Sequence, residues 1–344
     1  VTLKELARQL GLSPTTVSRA LNGYPEVNAE TRVRVEEAAR AANYVPNNMA
    51  QRLATGRAKA IGHVVPLHDH QIINPFFAEF IAGASESYAQ AGFEMILSVV
   101  PRDQEEDVYR SLAARHTVDG VIIHNVREVD SRIELLTDLK MPFVVHGRSN
   151  VMTEGYTYLD IRNANAFEAA TRHLIRLGHR RIGLMNGLIA LSFAKRRLMG
   201  YTSALENFGL PVDEALIRDG EMTEGYGYDT MMAWLDSDHP PTAVLSSSIL
   251  SAMGAARALA DRGLRLGHDV SIATHDDKLS YIENGTEDAP VFTSTRSSIR
   301  AAGTRAAQML IDMIEHPETP VQSEVWEVDL VYGRSTGPAP RAKD

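Results

Sequence analysis

The chain has no cysteine, which excludes disulfides, thiolate nucleophiles and Cys–zinc sites. It also has no apolar run long enough to span a bilayer and no N-terminal stretch of signal-peptide type. The common enzyme signatures are missing too. There is no Gly-x-x-x-x-Gly-Lys-Ser/Thr phosphate loop, no Gly-x-Ser-x-Gly elbow and no His-Glu-x-x-His zinc motif. Asp276-Asp277 and Glu105-Glu106 are adjacent pairs, not the spaced carboxylates of an acid/base couple, and the histidines show no ligand spacing. The expectation is a protein that is not an enzyme, holds no cofactor or metal, and does not enter a membrane.

Positive charge is also scarce overall, with 35 Lys and Arg against 44 Asp and Glu and a net charge of −9. Its distribution is uneven. Residues 1–60 hold nine bases and five acids, a net +4, which leaves −13 for the remainder. A basic head on an acidic body attracts nucleic acid at one end only. At 344 residues the chain is long enough for such a head and a large core.

Within the head, Thr2-Leu3-Lys4-Glu5 reads as a capping box, followed by the apolar stripe Leu3, Leu6, Ala7 and Leu10. Gly11 makes a turn. Ser13 then sits where a helix N-cap is expected and Pro14 at the first helical position. Val17 and Leu21 share one face of this second helix, while Thr15, Thr16, Ser18, Arg19 and Asn22 fill the others. That face is suited to hydrogen-bonding bases and phosphates in a major groove. A third helix is expected from Asn28 to about Ala42, with Val33, Val35 and Ala38 available to the core. The short piece between Pro46 and Gly56 cannot be a stable helix by itself.

The residues Val1-Thr2-Leu3, Thr16-Val17-Ser18-Arg19, Leu21-Asn22, Tyr44-Val45-Pro46-Asn47 and Ala50-Gln51-Arg52-Leu53-Ala54 resemble the N-terminus of the lac/gal repressor family of bacterial transcription regulators. The resemblance implies a helix-turn-helix domain over 1–45 and a hinge helix over 46–57. Implied contacts to DNA are Thr2, Pro14, Thr15, Thr16, Ser18, Arg19, Asn22, Asn28, Asn47, Ala50 and Leu53, with Leu53 wedged into the minor groove.

From Ile61 onward, short apolar runs alternate with amphipathic segments, and the pattern restarts near Asn165. Such runs read as parallel strands covered on both faces. They predict two doubly wound α/β lobes, and so an all-α head joined to an α/β core. Val325 to Val331 reads as one closing strand, and Gly337 to Asp344 as a polar tail. Asn74-Pro75-Phe76-Phe77, Leu177-Gly178-His179-Arg180-Arg181-Ile182, Arg197 with Gly200-Tyr201, and Asp276-Asp277 extend the resemblance to the family's periplasmic-binding-protein-type core. This implies a core over 58–335. Lobe one would take about 58–160 and 291–318, and lobe two about 161–290 and 319–335, leaving 336–344 as a tail. The chain would cross between lobes near 160, 290 and 320.

Ligands of open α/β sheets bind outside the carboxyl ends of the strands. Those ends here carry His68-Asp69-His70, His124-Asn125, His146 with Arg148, Asn186, Ser246 to Ser248, and His275 with Asp276. With Phe76, Phe77 and Arg197 they supply aromatic faces, a guanidinium, a carboxylate and hydroxyls, a set that suits a sugar. Taken singly, strand-end Ser, Asn and Asp as often cap the next helix, and Phe76 and Phe77 can equally be core. The resemblance favours Arg197 and Asp276 as effector contacts, then Phe76, with Asp69, His146, Arg148, Phe193, Met222 and Ser248 completing the set. Ser248 stands where the family has an amide, Met222 where it has an aromatic, and His275 where it has Tyr or Phe. Phe143-Val144-Val145-His146-Gly147-Arg148 resembles the subset responding to glucosides and oligosaccharides.

The sequence thus predicts a cytoplasmic, homodimeric repressor that binds a pseudo-palindromic operator in double-stranded DNA under the control of a small sugar. Control by a protein partner is the alternative. Gly337-Pro338-Ala339-Pro340 cannot extend a helix, in keeping with a dimer.

Overall fold

The computed structural model describes residues 1–21, 23–44, 57–66, 75–151 and 154–341. The expected hinge helix, with Asn47, Ala50 and Leu53, lies outside them, as do Asn22 and the loop containing Asp69. The chain forms two compact units, Val1–Lys59 and Ala60–Asp344.

The described residues of the first unit form three helices, α1 (Leu3–Leu10), α2 (Pro14–Leu21) and α3 (Ala29–Ala41). Thr2 Oγ1 accepts from the Glu5 N–H at 3.3 Å while the Glu5 carboxylate accepts from the Thr2 N–H at 2.7 Å, closing the capping box. Gly11 ends α1 at φ +65°, a left-handed conformation that glycine adopts without strain. Ser13 Oγ then accepts from the Thr16 N–H at 3.0 Å and starts α2. Leu6, Ala7, Val17, Ala20, Val27, Val35 and Ala39 form the core. Val33 was expected there but is 52% exposed. It lies two residues, about 200° of helix, from Val35, which faces inward with Ala39. Arg34 donates to the Leu10 carbonyl at 2.9 Å and Arg32 to the Tyr24 carbonyl at 2.8 Å. Two of the head's cations therefore hold the end of α1 and the turn after α2 in place.

The second unit begins with β1 (Ala60–Pro66), α4 (Pro75–Ala91), β2 (Glu94–Val100), α5 (Glu105–Ala114), β3 (Gly120–Ile123), α6 (Ser131–Asp138), β4 (Phe143–His146) and β5 (Thr157–Ile161). It continues with α7 (Asn163–Arg176), β6 (Ile182–Gly187), α8 (Ser192–Asn207), β7 (Ile217–Gly220), α9 (Glu224–Leu235), β8 (Ala243–Ser246), α10 (Ile249–Asp261), β9 (Ser271–Asp276) and β10 (Thr293–Arg296). The last elements are α11 (Ile299–Glu315), β11 (Ser323–Trp326) and β12 (Asp329–Val331). One six-stranded sheet has the order β11-β5-β4-β3-β1-β2, and the other β12-β10-β9-β8-β6-β7. The pairings are parallel except β10 with β12.

The stretch expected as one closing strand is two, one in each sheet, separated by Glu327 and Val328. The chain therefore passes between sheets at Arg162, after Arg296 and at Glu327–Val328. The covered-sheet expectation fails at edge strand β2, where Met95, Leu97 and Val99 are exposed. The described part of the expected polar tail is bonded to the body. Gly337 N donates to Ser271 Oγ at 3.1 Å, and Ala339 N to the Leu177 carbonyl at 2.8 Å.

Two features fix the lobes internally. Arg132 is buried and donates to Asp130 at 2.7 Å and Glu105 at 2.8 Å, tying the loop after β3 to α5. Helix pairs cross backbone to backbone through glycine. A side chain at Gly83 of α4 would run into the Arg300 carbonyl of α11, and one at Gly303 into the Phe80 carbonyl. Gly200 packs in the same way against Ala164 between α8 and α7. We expect Gly83→Ala to destabilise the body by about 1–3 kcal/mol in urea denaturation, the cost of overpacking. Gly225→Ala, whose added carbon meets open space in α9, should be neutral or stabilising. Equal effects of the two would contradict this packing.

Candidate functional site

In the first unit, Pro14, Thr15 and Arg19 are exposed on α2, and Thr16 and Ser18 are half-buried. Thr15, Thr16 and Arg19 share a concavity with Ser13 and with Asn28 and Thr31 at the start of α3. Thr2 and Asn28 act as N-caps, Asn28 accepting from the Thr31 N–H at 2.7 Å. Their helix ends present backbone N–H groups of the kind that bind phosphate oxygens. The exposed hydroxyls and one guanidinium on α2 can reach base edges, since Val17 and Ala20 turn the opposite face into the core.

In the second unit a cavity of about 160 Å³ lies between the two sheets. Lobe one lines it with Phe76, Asn125, His146, Arg148 and Asp160, and lobe two with Asn163, Phe193, Arg197, Met222 and Asp277. Arg196, Trp326 and the crossing segment Ser297 to Ile299 also line it.

Arg197 on α8 is the best-held of these side chains. Nε donates to Asn163 Oδ1 at 2.8 Å and Nη1 to the Ser247 carbonyl at 2.7 Å. Its guanidinium lies 4.9 Å from the Phe167 ring centre and 4.8 Å from that of Phe193. Burial pulls its pKa down to about 10, against the opposing pull of Asp277 and Asp160. It therefore remains a cation at neutral pH, fixed in orientation and largely stripped of water.

Asp277 provides the facing charge. Burial raises its carboxyl, but His275, Arg197 and His146 together hold it below the usual carboxylate range. His275 Nε2 lies 3.3 Å from its carboxylate and also contacts Ser297 Oγ at 3.0 Å, while Nδ1 contacts Thr295 Oγ1 at 2.9 Å. A second cluster joins the lobes. Asp160 of β5 accepts from Arg148 at 3.0 Å and from Arg196 of α8 at 3.2 Å, and Arg196 also donates to the Ser149 carbonyl at 3.1 Å. Burial raises the Asp160 carboxyl, with the two arginines opposing. Lys195 pairs with Glu128 across the same junction.

Of the residues expected at the effector site, Phe76, His146, Arg148, Phe193, Arg197 and Met222 line the cavity. Asp276 and Ser248 do not. Asp276 ends β9 with its carboxylate turned inward, accepting from the Lys278 N–H at 2.9 Å and lying 3.5 Å from Arg296. Neighbouring residues at a strand end face opposite ways, so Asp277 lines the cavity instead. Ser248 caps α10, accepting from the Leu250 N–H at 3.0 Å. Asn186 is likewise occupied within the fold, donating to the Ala194 carbonyl at 2.9 Å. Asp160, Asn163 and Arg196 escaped the sequence reading because β5 was not recognised and Arg196 stood beside a better-matched arginine.

Comparison with known proteins agrees with both parts. Residues 2–47 match the family model described as bacterial regulatory proteins, lacI family. Residues 58–329 match the one described as periplasmic binding proteins and sugar binding domain of LacI family. The HTH-type transcriptional regulator AglR of Rhizobium meliloti (strain 1021) is 47% identical, over 99% of this chain and 95% of the relative. A complex of the transcriptional regulator CelR with cellobiose is 29% identical with a TM-score of 0.71, covering 97% of this chain and 99% of the other. A lac repressor dimer bound to operator and the anti-inducer ONPF is 26% identical with a TM-score of 0.83, covering 98% and 99%. With both models matched and the alignment running nearly end to end, the chain belongs to the LacI family and is a DNA-binding transcriptional regulator.

Proposed function

We propose that the protein is a cytoplasmic, homodimeric repressor whose operator affinity is set by a small sugar, a glucoside or disaccharide, bound between its lobes. The observation that carries this reading is the cavity itself. It sets a fixed cation, Arg197, and an anion, Asp277, among aromatic faces from both lobes. Paired hydroxyls suit opposed charges that are already desolvated, and ring C–H faces suit Phe76 and Phe193. The cellobiose complex of a relative supports the same class of ligand. The exposed row Met95, Leu97 and Val99 on edge strand β2 supports a second copy of the chain as its cover. A two-fold dimer reads a two-fold site, so the operator is a near-palindrome. Asn47, Ala50 and Leu53, outside the described residues, would form the minor-groove wedge at its centre.

Ligand binding shifts the lobe arrangement only by its differential affinity for two states, typically about 1–3 kcal/mol of coupling. Arg197→Ala removes a charged hydrogen bond that we expect to contribute about 1.5–3 kcal/mol to sugar binding. In a mobility-shift assay it should bind operator normally and no longer respond to the sugar that releases the parent protein. Release of the variant at the same sugar concentration would move the effector site elsewhere. If no sugar alters operator affinity in the parent protein, control by a protein partner replaces this reading.

The head makes a separate prediction. Arg19 is placed to pair a guanine edge with two hydrogen bonds, so Arg19→Ala should weaken operator binding by about 1–3 kcal/mol and spare random DNA. Equal losses on both would reduce Arg19 to a phosphate contact.

A further inference from the structure

A second cavity, of about 70 Å³, adjoins the first in lobe one and shares Phe76, Asn125, His146 and Ile299 with it. Phe77, Phe80 and His124 form its inner wall. A water needs about 10–15 Å³ on this measure and represents about 30 Å³ of liquid. The space therefore holds about five waters, about 150 Å³ of liquid, roughly the bulk of one hexose ring.

Behind its wall runs a buried chain of three side chains. Tyr88 Oη lies 2.9 Å from His63 Nε2, and His63 Nδ1 lies 2.9 Å from His124 Nε2. Burial lowers the His63 pKa to about 3 and the His124 pKa well below its ordinary value, so both rings are neutral with one N–H each. Burial also raises the Tyr88 pKa far above its usual range, so the phenol keeps its proton. Among the described residues His63 is the one hydrogen-bond partner of the Tyr88 hydroxyl. Were His63 the donor to Tyr88, the buried phenol proton would have no acceptor, a costly arrangement. Tyr88 therefore donates to His63 Nε2, which puts the His63 proton on Nδ1. His63 Nδ1 donates in turn to His124 Nε2, which puts the His124 proton on Nδ1. His124 Nδ1 has no hydrogen-bond partner among the described residues, and the ring lines the second cavity. Edge-to-face packing on Phe80 at 4.8 Å and on Phe77 at 5.2 Å holds the ring in this orientation.

We propose that the second cavity takes the second sugar ring of a disaccharide effector, and that the Tyr88–His63–His124 chain presents His124 Nδ1–H to an oxygen of that ring. This rests on the reading of the main cavity as a sugar site. Phe76 and Phe77 offer apolar surface to the ring's C–H face, and His124, His146 and Asn125 supply the polar contacts. His124 would touch the ligand. His63 and Tyr88 act through it as positioning residues.

The test has two arms. In the first, calorimetry compares maltose, trehalose, sucrose, cellobiose and melibiose with the methyl α- and β-glucosides, which carry a single ring. At least one disaccharide should bind about tenfold or more tightly than the single rings, the scale expected for one buried polar contact and its ring. His124→Phe should reduce that disaccharide to the single-ring level, and His124→Asn, which keeps an N–H near the Nδ1 position, should restore part of the difference. In the second arm, ¹⁵N-histidine spectra of the parent protein should show His124 protonated on Nδ1, with a mixture of tautomers in Tyr88→Phe. Single rings binding as well as every disaccharide, or a preference that survives His124→Phe, overturns the second-ring site while leaving the main cavity intact. If none of the seven sugars binds, the sugar reading falls and this proposal falls with it. An unprotonated Nδ1 in the parent protein overturns the relay even if His124→Phe fails to fold.

Discussion

A guanidinium buried between two lobes needs everything around it to be in place. Arg197 is 5% exposed, and a cation so far removed from water is tolerated only with hydrogen bonds and a counter-charge in position. Asn163 supplies one bond from the start of α7, the Ser247 carbonyl another from the end of β8, and Asp277 the charge from the end of β9. Phe167 and Phe193 hold its plane. The Ser247 and Asp277 segments converge because β6, β8 and β9 are parallel and bring their carboxyl ends to one edge, and Asn163 meets them where the chain enters lobe two after β5. A ligand that meets Arg197 meets a donor already oriented, with no side-chain entropy left to lose on binding.

The same edge faces lobe one. The Asp160–Arg196 pair, the Lys195–Glu128 pair and the Ser192 N–H to Val126 carbonyl bond at 2.8 Å cross the junction beside the cavity. Glu79 of α4 also accepts from Ser280 at 3.1 Å and pairs with Arg300. A ligand touching both lobes competes with or adds to these polar links, which are easier to rearrange than a packed core. On the proposed function, lobe geometry is the variable a ligand would set.

The fold was legible wherever burial is achieved with apolar side chains. Ile61 to Pro66, Gly120 to Ile123 and Thr242 to Ser246 announce themselves as runs. β10 did not, because Thr293-Ser294-Thr295-Arg296 contains no apolar residue. It is buried through hydroxyls, Thr293 bonding the Gly333 carbonyl and Thr295 bonding His275. β7 is the half-exposed edge sequence Ile217-Arg218-Asp219-Gly220, with the same lack of signal. The stretch from Val325 to Val331 was apolar enough to be seen but held no mark that Glu327 and Val328 divide it between two sheets. At the site, Arg197 and the aromatics could be placed from motif positions. The choice between Asp276 and Asp277 could not, because it depends on which way the last residue of β9 faces, a matter of strand register rather than residue type. The head was the most legible part, since caps and short apolar stripes are local signals.

The central claim is that the cavity between the lobes and the DNA-reading head are coupled. Linkage makes this measurable in one quantity, because any factor by which a sugar weakens operator binding must equally be the factor by which operator weakens sugar binding. Calorimetric titration of the effector sugar into the protein, free and saturated with operator DNA, tests it most directly. The account predicts weaker sugar binding on DNA, by roughly 5- to 150-fold and by the same factor as the sugar-induced loss of operator affinity. Equal sugar affinity in the two states would contradict it.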